Sequence, residues 1–173
     1  MRGSRRFQIA VAGGGVCGPR TAALARAVGR EIARAGAVLV CGGLGGVMEA
    51  AARGAAEAGG TVIGILPGYE HGAGNRYLTV ALPTGLGHAR NVLVAAAGDA
   101  LIALPGQHGT LAEVALARVL ERPVVALGAW GDVRGVVHAR TPGAAVRQAL
   151  RLARRTTGPR AGPRGRRRRP ARP

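Results

Sequence analysis

At 173 residues and 17.4 kDa the chain allows one ordinary domain with a short appendage. All 25 basic residues are arginine, which excludes Schiff-base enzymes of the pyridoxal-phosphate type and Walker-type phosphate loops, since both need a lysine. The net charge of +17 is unevenly spread, with nine arginines and no acid in 154–173 and only +8 over residues 1–153. Phe7 to Ala12 reads as a buried strand, ended by Gly13, Gly14 and Gly15. From Thr21 to Ala35, Leu24, Val28 and Ile32 recur every fourth residue, with Arg26, Arg30 and Arg34 on another face, which predicts an amphipathic helix. Gly36 closes it, and Ala37 to Cys41 is the next strand. A helix over Gly45 to Ala58 is broken by Gly59 and Gly60 before the strand Thr61 to Leu66.

Residues 67–83, with Pro67, Gly68, Gly72, Gly74 and Asn75, read as a surface loop carrying a short strand at Tyr77 to Leu82. A helix follows from Gly87 to Ala97, then the strand Ala100 to Leu104. Pro105 to Thr110 opens another helix, running to Leu120, and Pro123 to Val124 begins the last expected strand, ending at Leu127. Thr141 caps a final helix with Pro142 at its first position, reaching about Arg154. Strand–helix alternation with near-continuous apolar strands predicts an α/β fold, a Rossmann-like doubly wound parallel sheet flanked by helices, in a single domain over 1–155. Residues 156–173 are rich in Arg, Pro and Gly, have almost nothing apolar to bury, and are expected to be a disordered tail. Its arginines suit counterion-releasing contact with nucleic acid, but no aromatics are interleaved to stack on bases, and a solvated tail is the favoured reading. Nucleic acid is not otherwise expected as a partner.

Cys17, Cys41 and four histidines show neither a disulfide framework nor metal-ligand spacing, so no metal is expected. No stretch approaches eighteen uninterrupted apolar residues, and no long apolar signal core follows the first residues. The expectation is a soluble, cytoplasmic protein without membrane contact.

Three glycine-rich turns, 13–15, 42–46 and 106–109, fall where strands hand over to helices. In an open parallel sheet such turns gather at the carboxyl ends of the strands, where ligands bind. Glycine lets the backbone come close to a phosphate, and helix-terminal N–H groups favour negative charge there. Thr110 at a helix start adds a hydroxyl. The turns point to a phosphorylated ligand, although tight connections need glycine in any case. The candidate ligand-binding residues are Gly14, Gly42, Gly43, Gly46, Gly106, Gln107, His108, Gly109 and Thr110. Glu113, four residues past Gly109, is placed on the first turn of its helix, where it either points into the crevice or complements the helix dipole. His88 and His108 flank the site, as contacts to a base or phosphate or as ordinary polar loop residues.

Two segments, Cys41-Gly-Gly-Leu-Gly-Gly-Val-Met-Glu49 and Pro105-Gly-Gln-His-Gly-Thr-Leu-Ala-Glu113, resemble the paired signatures G-G-G-x-x-G-L-M-G and P-G-G-x-G-T-x-x-E of the Lonely Guy (LOG) family, within the SLOG superfamily. Between them, Pro83-Thr-Gly-Leu-Gly-His-Ala-Arg-Asn91 is similar to the family segment that supplies an arginine. The resemblance runs from about residue 7 to 128 and is nearest to the compact bacterial branch beside the molybdenum-cofactor carrier proteins. It implies a Rossmann-like nucleotide-binding protein, a homo-oligomer and usually a dimer. The better-known relatives are phosphoribohydrolases, hydrolases that cleave a nucleoside 5′-monophosphate to free base and ribose 5-phosphate and require no cofactor for that reaction. By motif position, Arg90 matches the catalytic arginine, Glu113 the catalytic glutamate, and Gly106, Gly109 and Thr110 the phosphate-binding turn. The alternative is a non-catalytic carrier that holds the molybdenum cofactor through its phosphate.

The sequence departs from the family pattern in ways that bear on the site. Gln107 replaces the second glycine of the P-G-G turn, which costs roughly 1–2 kcal/mol if that position needs a positive φ. Cys41 replaces a first glycine, Glu49 a last one, and Asn91 stands where the enzymes have a second basic residue. Glu49 is read as complementing the start of its helix rather than facing the ligand.

Overall fold

The computed structural model describes residues 5–156, so the expectations for residues 157–173 lie outside it. Seven strands, β1 (Gln8–Ala12), β2 (Val38–Cys41), β3 (Val62–Leu66), β4 (Val80–Pro83), β5 (Ala100–Ala103), β6 (Val124–Leu127) and β7 (Val137–Ala139), form one sheet. Their order is β4-β3-β2-β1-β5-β6-β7, and every neighbouring pair is parallel. Five helices cover it: α1 (Pro19–Arg34), α2 (Val47–Glu57), α3 (Asn91–Ala97), α4 (His108–Val119) and α5 (Pro142–Thr156). This is the expected Rossmann-like α/β architecture.

The strands read as apolar runs because both of their faces are buried. Side chains alternate across β1, where Ile9 and Val11 join the core under α1, α2 and α5 while Ala10 and Ala12 join the core under α3 and α4. Val28 and Ile32 of α1, Ala51 and Ala55 of α2, and Val146 and Ala149 of α5 pack on the first face. Val94 of α3 and Val114 of α4 pack on the second. Helices α1 and α2 meet backbone to backbone. A Cβ at Gly29 would overlap the carbonyl of Ala51, and one at Gly54 the carbonyl of Arg26.

Two boundaries and one strand differ most from expectation. Strand β4 begins at Val80 rather than Tyr77, and the helix expected from Gly87 is a 3-10 turn, Gly87–Arg90, that runs into α3 at Asn91. Strand β7 was not expected at all: it is a three-residue edge strand pairing only with β6, and its central His138 interrupts any apolar run.

The topology places the site. Strands β1 and β5 are neighbours, but the loop after β1 leads to α1 on one face and the loop after β5 leads to α4 on the other. At such a switch point the two loops part and leave a crevice at the carboxyl edge of the sheet. A hydrogen bond from the Gly14 N–H to the Pro105 carbonyl, 3.0 Å, ties the loops together at its base.

Candidate functional site

A cleft of about 450 Å³ opens at this switch point. Of the residues singled out in the sequence as candidates for the site, Gly14, His88, Arg90, Gly106, Gln107, Gly109, Thr110 and Glu113 line it together. Val16, Leu44, Met48 and Asn91, none of them among those candidates, line it too. Gly106 gives the turn its close fit, because a Cβ there would overlap the Thr110 Oγ1 and come within 2.8 Å of the Gly14 nitrogen. The start of α4 carries no side-chain cap, and Gln107, His108 and Gly109 are exposed around it. The first-turn amides thus have no intrahelical partner, and Gln107, Gly109 and Thr110 of this helix start line the cleft.

The remaining candidates are placed differently. Gly42 lies beneath Arg90, where a Cβ would collide with both terminal guanidinium nitrogens. Gly43, at φ +75°, packs against Leu66 and the Gly64 backbone, and its carbonyl accepts from the Asn75 backbone N–H (2.8 Å) and Nδ2 (3.2 Å). Gly46, at φ +62°, caps α2 and abuts the backbone of Gly14 and Gly15, so it shapes the loop from behind. His108 opens α4 and lines a neighbouring cavity instead of the cleft.

Gln107 sits at φ −116°, extended backbone open to any residue, so the cost attached to replacing glycine there does not arise. Glu113 is the sixth residue of α4, in its second turn rather than its first, because the helix begins at His108. Dipole complementarity therefore does not explain a carboxylate at 113. Glu49, by contrast, is in the first turn of α2 and lines a separate cavity with Arg26, Arg53 and Tyr77.

The chemistry concentrates on Arg90 and Glu113. Their side chains are each 8% exposed, and Arg90 Nη1 lies 3.6 Å from a Glu113 oxygen. Nη1 donates to Asn91 Oδ1 at 3.1 Å, and Asn91 Nδ2 donates to the Gly109 carbonyl at 3.4 Å. Asn91 so links the arginine to the α4 turn. Arg90 Nε is buried with no hydrogen-bond partner among the described residues. Burial pushes the Glu113 carboxyl up to about 7, against the opposing pull of Arg90. Burial also lowers Arg90, which Glu113 partly offsets. The Cys41 thiol, fully buried next to this pair, is pushed up to about 11 by desolvation, which leaves it a protonated packing group rather than a nucleophile.

Among the described residues no group of three or more His, Cys, Asp or Glu is arranged to hold a metal ion, and no helix is long and apolar enough to cross a membrane. Two solved structures share the fold over nearly their whole length. The molybdenum cofactor binding protein of Rippkaea orientalis is 34% identical, with TM-score 0.82, covering 87% of this chain and 99% of that one. The molybdenum-cofactor carrier protein of Chlamydomonas reinhardtii is 34% identical with TM-score 0.80 and the same coverage. A cytokinin riboside 5′-monophosphate phosphoribohydrolase of Rhodococcoides fascians is 37% identical over 105 residues, 56% of this chain and 50% of that enzyme. Residues 6–152 match the SLOG cluster4 family, and the chain belongs to it.

Proposed function

We propose that the protein binds a phosphorylated, nucleotide-like ligand at the β1–β5 switch point and hydrolyses the N-glycosidic bond of a nucleoside 5′-monophosphate. The observation that carries this reading is the buried Arg90–Glu113 pair at the wall of a cleft that the uncapped start of α4 also lines. The phosphate would lie on the amides of residues 107–110 with the Thr110 hydroxyl beside it. The unpartnered Arg90 Nε is a buried donor that a bound ligand would satisfy. In the reaction, water adds to C1′ and the C1′–N bond breaks with its electron pair leaving on the base. The proton lost by water ends on that base. Glu113, with its carboxyl near 7, suits the role of general base at neutral pH, and its ionised form opposes the positive charge that develops on the ribose.

A second reading is favoured by the near full-length match to the molybdenum-cofactor binding and carrier proteins. The same turn would hold that cargo through its phosphate, without turnover. Asn91, a neutral residue where the hydrolases have a cation, supports it.

The deciding experiment incubates purified protein with a panel of nucleoside 5′-monophosphates and follows released base by chromatography, with Glu113→Gln in parallel. Base release lost in the variant supports hydrolysis. Saturable binding by calorimetry with no release from any monophosphate gives the carrier reading first place.

A further inference from the structure

The turn that opens α4 is held from two sides. Strand β5 pairs with β1 up to Ala12 and Ala103, and the Leu104 N–H donates to the Ala12 carbonyl at 2.9 Å. One more step of that parallel ladder would give the Leu104 carbonyl to the Gly14 N–H. The Gly14 N–H instead donates to the Pro105 carbonyl, one residue further on. This slip ends the ladder where the turn begins, and it leaves the carbonyl of the fully buried Leu104 without a ladder partner. The indole Nε1 of Trp130 takes that place, donating to the Leu104 carbonyl at 2.8 Å. Trp130 comes from the loop between β6 and β7, and its ring packs on the core under α3 and α4. Its backbone sits at φ +68°, the left-handed region that a bulky side chain rarely occupies. Two residues earlier Gly128, at φ +83°, lies so close to Pro105 that a Cβ there would touch the proline ring. A strained conformation persists only where its surroundings hold it, and here it delivers a donor to the carbonyl that the slip leaves over.

We infer that Trp130 is a positioning residue for ligand binding: its indole N–H holds the slipped register of Leu104 and Pro105, and with it the placement of Gly106, Gln107 and Thr110 beside the Gly14 loop. The inference rests on the phosphate-site reading above. Without the indole donor, the Leu104 carbonyl competes with that of Pro105 for the Gly14 N–H, and the turn no longer has one fixed register. Trp130 does not line the cleft, so it acts through the turn and not by touching the ligand.

Trp130 is the only tryptophan in the chain, so biosynthetic replacement of tryptophan changes this residue alone. β-(3-Benzothienyl)alanine keeps the shape of the ring and lacks the N–H, whereas 5-fluorotryptophan keeps the N–H. Binding of ribose 5-phosphate is measured by calorimetry on both forms, on the native protein, and on Trp130→Phe and Val146→Ala. Val146 packs on the opposite face of the sheet, so its variant loses stability without losing the indole donor. The benzothienyl form and Trp130→Phe should bind roughly ten-fold more weakly than the native protein, the factor expected for one buried carbonyl left unpaired. The fluorinated form and Val146→Ala should bind as the native protein does. Native affinity in the benzothienyl form overturns the inference. So does an equal loss in the fluorinated form, which would not trace to the N–H, or in Val146→Ala, which would make it a matter of stability. If Trp130→Phe fails to fold, the benzothienyl form decides. Absence of binding in every protein, the native one included, overturns the phosphate reading itself, and this inference with it.

Discussion

The guanidinium of Arg90 rests on the α-carbon of Gly42, in the space that a side chain at 42 would fill. Gly42 does not have a positive φ, so alanine is compatible with its backbone, and the collision is with the far end of a flexible side chain. Gly42→Ala is therefore expected to move Arg90 away from Glu113 while leaving the fold in place. Its melting temperature should stay within roughly 4 °C of the native protein, about 1 kcal/mol for a chain of this size. Ribose 5-phosphate affinity should fall at least ten-fold in calorimetry. Native affinity in this variant would show that Arg90 needs no fixed position.

Glu113 predicts a pH dependence of stability. Its carboxyl is raised to about 7 in the folded chain, whereas an unfolded glutamate titrates near ~4.3. Between those values the folded state holds a proton that the unfolded state has released. Stability conferred by the neutral form is thus complete below the unfolded value, declines as pH rises through the window, and levels off above about 7. Glu113→Gln mimics the neutral acid at every pH. It should match the native protein near pH 4 and exceed it at pH 8, by on the order of 3 kcal/mol, in urea unfolding. Parallel pH profiles for the two proteins would show that Glu113 titrates normally.

The parts of the fold visible in the sequence are those where burial is two-sided or periodic. Leu24, Val28 and Ile32 mark α1, and the apolar runs of β1, β2 and β5 mark the centre of the sheet, because a covered parallel sheet accepts no polar side chain on either face. Strand β7 escaped because an edge strand with His138 at its centre has no such signature. At the site, the switch point follows from strand order, and the turns that meet there were legible as glycine runs. Which glycines face the cleft was not, since Gly43 and Gly46 are needed for contacts with the Gly64, Gly14 and Gly15 backbones that only the folded loops create. The bridge through Asn91 was equally hidden. It joins Arg90 to Gly109, nineteen residues further on, and depends on how α3 and α4 stand across β5.

Gln107 offers a test in which the sign is diagnostic. Were this position held at positive φ, Gln107→Gly would relieve strain and stabilise the protein by roughly 1 kcal/mol or more. At φ −116° there is no strain to relieve, and glycine only adds freedom to the unfolded chain. The substitution is expected to lower stability by about 0.5–1 kcal/mol, read as a lower urea midpoint at constant slope. A higher midpoint would mean that the α4 turn is strained at 107.

Helices α1 and α2 set two physical effects against each other at Gly29 and Gly54. Both glycines lie inside helices, where alanine is favoured by about 1 kcal/mol on intrinsic propensity. Both also face the backbone of the other helix, and the groups a Cβ would strike, the carbonyls of Ala51 and Arg26, cannot swing aside as a side chain can. The helices would have to separate along a tightly packed seam. Overpacking of that kind costs about 1–3 kcal/mol, more than the propensity gain. Gly29→Ala and Gly54→Ala should each be destabilised in urea unfolding, and the loss should grow in Gly54→Val. The displacement should also reach the ligand site, because the Val47 N–H that starts α2 is bonded to the Gly14 carbonyl at 2.9 Å, on the cleft's own loop. Weaker ribose 5-phosphate binding in the folded Gly54→Ala protein is thus expected alongside the stability loss. Stabilised alanine variants would mean that propensity outweighs packing here and that the seam yields freely.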